Sequence, residues 1–82
     1  MAGITTVLWN IILGDNLNRV REVRLRRGLT QNGLANLAGV KQKEISLIEN
    51  DLKPEFSLKV AKRIANALGE TVDYLWPDKW PD

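Results

Sequence analysis

The stretch from Gln31 to Ile48, QNGLANLAGVKQKEISLI, decides how this chain folds. Leu34, Ala35 and Ala38 stand three and four positions apart, so a single helical face carries all of them. Ala35 has almost no side chain, which lets a second helix approach the first. Gly39 follows the last apolar position, where a left-handed residue ends a helix. Val40 then fills the corner. Ile45 and Ile48 face inward from the second helix and leave Lys41, Gln42, Lys43, Glu44 and Leu47 on its outward side. Thr30 occupies an N-cap position, with Gln31 in the first turn behind it. An arbitrary helical hairpin meets two or three of these requirements, whereas this stretch meets all of them in register. The spacing predicts two short helices that cross closely through a tight turn.

Outward from this unit, the pattern stays helical. A preceding helix is expected over about Leu17 to Arg27, capped by Asp15 or Asn16, with Leu17, Val20, Val23 and Leu25 as a narrow apolar stripe and Gly28 as its end. The unit itself gives helices over about Thr30 to Ala38 and Gln42 to Asn50. After a loop broken by Pro54, Ser57 caps a fourth helix with Leu58, Ala61, Ile64, Ala65 and Leu68 inward and Gly69 at its close. Thr71 caps a short fifth helix with Val72, Leu75 and Trp76 as core, stopped by Pro77. With no segment reading clearly as a strand, the expected architecture is an all-α bundle. Residues 15–77 form the domain, and residues 78–82 are expected to be a flexible tail.

Composition narrows the chemistry. The chain has 82 residues, enough for one small domain with a modest core, a size at which dimerisation often adds stability. It contains no cysteine and no histidine. Disulfides, zinc fingers and thiol chemistry are excluded, and the commonest general base and metal ligand is missing. The Ser, Thr and acidic residues read as caps and surface, so an enzyme, a cofactor or a bound metal is not expected. Net charge is only +2, but it is unevenly spread: Asp15 to Asn66 hold eleven Lys or Arg against six acids, and Gly69 onward holds four acids against one lysine. A basic middle with an acidic end suits a molecule that turns one face toward phosphates.

The first fourteen residues carry no charged side chain and include the apolar run Ile4 to Leu13. The run is shorter than the roughly 20 residues a membrane span needs. It also lacks the basic start and small-residue cleavage site of a secretory leader, so a cytoplasmic protein without a membrane segment is expected. Three readings of residues 1–14 stay open: a strand or helix packed on its own domain, a dimerisation segment paired with its copy in a second subunit, or a disordered arm from an upstream start codon. Its Ile, Thr, Val and Trp content leans toward a strand.

With the helices placed, the chain resembles the Cro/cI-type, or XRE-type, helix-turn-helix regulators. The resemblance runs from Leu17 to Trp76. It is carried by Val23-Arg24, Gly28-Leu29-Thr30-Gln31, Leu34-Ala35, Ala38-Gly39-Val40, Ile45-Ser46, Ile48-Glu49-Asn50, Ile64-Ala65, Ala67-Leu68-Gly69 and Asp73-Tyr74-Leu75. It implies a compact five-helix lambda-repressor-like DNA-binding domain of bacterial or phage origin. In such a domain Gln42 and Lys43 point at base edges, with Glu44 and Leu47 beside them on the reading face. Thr30, Gln31, Lys41, Asn50 and Lys53 fall where backbone phosphates are met. Arg24 and Glu49 match a pair that ties the first helix to the third.

The side-chain chemistry agrees. Glutamine pairs with adenine N6 and N7, lysine donates to guanine O6 and N7, and glutamate accepts from cytosine N4. Leu47 either touches a thymine methyl or only packs. Arg19, Arg21, Arg26 and Arg27 read as a solvated face with at most one phosphate contact. Three positions depart from the family pattern. Gly33 sits inside a helix at a cost of about 1 kcal/mol against alanine, with close approach to DNA as one account. Leu47 is apolar where a polar residue is usual, and Asp51 stands in place of a usual glycine.

The expected function is a DNA-binding transcriptional regulator, a repressor acting as a homodimer on operator DNA. Two other readings are weighed beside it: an antitoxin that uses the same fold to hold both DNA and a toxin or other protein partner, and a protein-interaction module that has lost DNA binding.

Overall fold

The computed structural model describes residues 18–53, 55–77, 79 and 80. Among them are five helices and no strand: α1 (Val20–Arg26), α2 (Gln31–Ala38), α3 (Gln42–Glu49), α4 (Leu58–Leu68) and α5 (Val72–Leu75). Packing is centred on α2, which lies against both α3 and α4, while α1 meets α3 and α5 meets α4. The apolar stripes converge on one core of Val20, Val23, Leu34, Ile45, Ile48, Ile64, Leu68, Leu75 and Trp76, together with Ala35, Ala38, Ala61 and Ala65. Each buried leucine or isoleucine removed from water contributes about 1.5–3 kcal/mol.

Helix ends follow from particular residues. Thr30, Ser57 and Thr71 each turn a hydroxyl back to accept from the amide three residues on, at 2.9, 3.1 and 3.1 Å. At the end of α2, Gly39 adopts φ +72°, and the amide of Val40 reaches the carbonyl of Ala35 at 3.0 Å. This left-handed closure turns the chain sharply into α3, with Val40 packed against the core. The same closure ends α3, where Leu52 N–H meets Leu47 O at 2.8 Å, but the left-handed residue is Asp51, at φ +56°. Aspartate tolerates this region better than most side chains, and the loop keeps the backbone geometry that glycine would give. Asn18 secures it, donating from Nδ2 to Asp51 Oδ1 at 2.8 Å and to Ile48 O at 3.0 Å.

Several expectations need correction. The first helix begins at Val20 rather than Leu17, because Asn18 Oδ1 accepts from Val20 N–H at 3.1 Å and holds the chain out of the helix just before it. Asp15, Asn16 and Leu17 lie outside the described residues. Leu25 is 61 % exposed and Leu58 39 %, so neither is core. On α1 the inward place that Leu25 was expected to fill belongs to Arg24, which is buried by its ion pair. Of the tail, residues 79 and 80 are described, and Trp80 packs against the domain. Its ring lies 5.6 Å from Phe56 and 5.9 Å from Trp76 in edge-on geometry, with Lys79 Nζ above Phe56. The apolar segment 1–14, with its proposed pairing role, lies outside the described residues.

Candidate nucleic-acid interface

The site is built outward from Glu49. Its carboxylate is completely buried at the end of α3. Arg24, from α1, donates to it from Nε at 2.6 Å and from Nη2 at 3.2 Å, and its Nη1 caps the carbonyl of Leu29 at 2.8 Å. Arg21 adds a contact at 3.3 Å. Burying a charge is tolerable only when it is paired and hydrogen-bonded, and no buried side-chain polar atom among the described residues lacks a partner.

The next donor to Glu49 is Gln31, whose Nε2 lies 3.1 Å from Oε1. An ionised carboxylate only accepts, so Gln31 must aim its NH₂ group inward. Its own Oε1 then faces outward and accepts from Gln42 Nε2 at 2.7 Å. The buried charge thereby fixes the direction of two amides in succession. Gln42, exposed in the first turn of α3, keeps one N–H and its Oε1 unspent among the described residues.

The other expected contact residues surround this point. Thr30 is exposed, and its hydroxyl accepts from Gly33 N–H, which leaves the hydroxyl proton to donate. Lys41 is the N-cap residue of α3, and Lys43 follows in its first turn; both are exposed. Glu44 and Lys53, one expected at a base and the other at a phosphate, are paired with each other at 2.9 Å. Asn50 accepts from Arg21 Nη2 at 2.7 Å and donates to Ser46 O at 2.8 Å. Leu47 is half-buried and faces a groove beside α3 with Lys41, Lys43, Lys53, Val60 and Arg63.

Two sequence features gain a physical account here. A Cβ at Gly33 would stand 3.2 Å from Thr30 Oγ1, so the glycine relieves crowding at the hydroxyl that caps its own helix. The arginines on and flanking α1, read as a solvated face, remain partly exposed and also meet protein acceptors. Arg19 donates to Tyr74 O at 2.9 Å and lies over its ring, Arg26 meets Glu22 at 3.1 Å, and Arg27 stands 3.8 Å from Glu70. The hydrogen bond from Arg26 to the Tyr74 hydroxyl, joined by the nearby acids, raises that guanidinium above its ordinary value. Asn18 and Arg63 escaped the sequence reading. Asn18 bridges positions 30 and 33 residues away, which local spacing does not reveal. Arg63 did have a signal: Val60, Arg63 and Ala67 form a second stripe on α4, and both apolar members are partly buried.

Two helices joined by a tight left-handed turn, with a fixed amide and exposed lysines at the start of the second, define a DNA-binding helix-turn-helix domain. The helix-turn-helix family model HTH_3 matches residues 20–75, and the chain belongs to that family, of the Cro/cI or XRE type with its lambda-repressor-like fold. No curated protein sequence matches the chain. Among the described residues no helix is long and apolar enough to cross a membrane.

Proposed function

We propose that this protein is a sequence-specific transcriptional regulator, a repressor that binds operator DNA as a dimer in the cytoplasm. The observation that carries this reading is the relay from Glu49 through Gln31 to Gln42. It sets Gln42 in one orientation at the exposed start of α3, with an acceptor and one N–H still available. Adenine offers the matching donor at N6 and acceptor at N7 in the major groove, and a bidentate pair of this kind discriminates by about 1–3 kcal/mol. Lys43 beside it suits a guanine edge. Thr30, Lys41, Asn50 and Lys53, with Gln31 through its backbone amide at the start of α2, would fix register through phosphates. Dimerisation supports operator choice because two recognition helices read half-sites about 10–10.5 base pairs apart.

The test is a fluorescence-polarisation titration with DNA from just upstream of the protein's own gene, beside a scrambled duplex, each at two salt concentrations. Tight binding to the natural fragment and weak binding to the scrambled one is the expected result. Equal affinity for both at each salt would remove sequence specificity from the proposal.

A further inference from the structure

Two sets of cations in this domain differ in how they are held. Those of α1 are directed to protein acceptors, as described above, and Lys53 is held by Glu44. Lys41, Lys43 and Arg63 have no hydrogen bond or ion pair from their side chains among the described residues, and all three line the groove beside α3. Lys41 and Lys43 come from the start of α3, whereas Arg63 comes from the middle of α4. Val60 and Leu47, also in the groove wall, offer no side-chain acceptor. Three like charges converge from two helices, and the one carboxylate among them is already engaged. Such a cluster repels itself in the free protein and is relieved by an anion.

The geometry points to Arg63 as a DNA-backbone contact: its guanidinium takes a phosphate of the strand that passes the turn between α2 and α3, which brings α4 into the DNA footprint. The inference rests on the DNA-binding reading above and extends it to a helix outside the helix-turn-helix unit. Arginine suits the task because its planar fork meets phosphate oxygens in pairs. The phosphate belongs to the same duplex that α3 enters, since Arg63 shares its groove with Lys43 from the first turn of that helix. A phosphate contact positions the protein without reading sequence, so losing it weakens all duplexes alike.

The experiment measures affinity of the full chain for a scrambled duplex and for the upstream fragment as salt rises from about 50 to 200 mM. Four proteins are compared: wild type, Arg63→Gln, Arg63→Lys and Lys62→Gln, the last removing an exposed charge from the same helix outside the groove wall. Circular-dichroism melting confirms that each is folded. Arg63→Gln is expected to bind both duplexes several-fold more weakly and to lower the slope of log affinity against log salt by about 0.9, the value for one phosphate. Arg63→Lys should keep most of the slope, and Lys62→Gln should leave it unchanged. An unchanged slope in Arg63→Gln overturns the assignment while the DNA-binding reading stands. An equal fall in Lys62→Gln also overturns it, by showing an effect of net charge rather than a contact. A wild-type protein that binds neither duplex at the lowest salt overturns the DNA-binding reading, and this assignment with it.

Discussion

Gln42 donates to Gln31 across the turn between α2 and α3, Nε2 to Oε1 at 2.7 Å, and this bond can run in only one direction. Its direction follows from the other end of Gln31, where the amide nitrogen meets the buried carboxylate of Glu49. Gln42 is therefore presented at the exposed start of α3 with its donor and acceptor already assigned. Gln42→Ala should cost about 1–3 kcal/mol on operator DNA, relax preference at one base position and leave affinity for random DNA nearly unchanged. Polarisation titrations on both duplexes check it, and equal losses would take Gln42 out of the base-reading set. Gln31→Met, which removes the lock without touching the reader, should lose part of the same discrimination.

Glu49 carries the structural side of that relay. Glu49→Ala leaves Arg24 buried without its counter-charge, a loss that typically costs about 3–5 kcal/mol. Urea denaturation should show a midpoint far below wild type or no cooperative transition at all. Replacing both members with apolar residues, Arg24→Met with Glu49→Leu, should restore most of the stability. Failure of the double substitution to exceed Glu49→Ala would mean that the pair's other bonds, to Leu29 and Gln31, matter more than its charge.

Glu44 occupies Lys53 in the free domain at 2.9 Å. Both are partly exposed, so the pair is worth no more than about 1 kcal/mol, yet it withholds one cation from DNA. Glu44→Gln should raise affinity for random and operator duplexes alike, by roughly two- to fivefold, and steepen the salt dependence. A loss confined to operator DNA would instead place the Glu44 carboxylate on a cytosine.

Asp51 is the one non-glycine residue at positive φ among the described residues, and Asn18 holds its carboxylate at 2.8 Å. Asp51→Ala loses both the side chain suited to that backbone and the bond that anchors it. Thermal unfolding should show a destabilisation of about 1–2 kcal/mol. Asp51→Asn keeps the conformational tolerance and a side-chain acceptor, and should fall near wild type.

What the sequence made legible was local. Helix caps at Thr30, Ser57 and Thr71, the turn at Gly39 and the inward stripe of α4 from Ala61 to Leu68 all depend on residues within about one or two helical turns of each other. Their spacing states them directly, and the family pattern added the match over residues 20–75. The misreadings came from interactions across the fold. Leu25 looked apolar enough to be core, but the inward place on α1 goes to Arg24, whose partner lies 25 residues away. Trp80 sits beyond a helix-stopping proline, and only the position of Phe56 and Trp76 shows why it returns. The aspartate at position 51 departs from the usual glycine, and the Asn18 that secures it lies 33 residues away in the chain. For the candidate interface, the family resemblance suggested residues but not their mutual contacts, since the pairing of Glu44 with Lys53 depends on how the loop after α3 folds back.

The relay from Arg24 to Gln42 also bears on how this protein would diverge. Its outermost member is exposed and its innermost carboxylate is sealed, so tolerance to change falls from one end to the other. Lineages could exchange residue 42 and adopt a new operator with little penalty to folding, and residue 31 would then adjust to suit the newcomer. Glu49 and Arg24 would be inherited together across such changes. Divergent descendants should differ at the rim of this network while sharing its root.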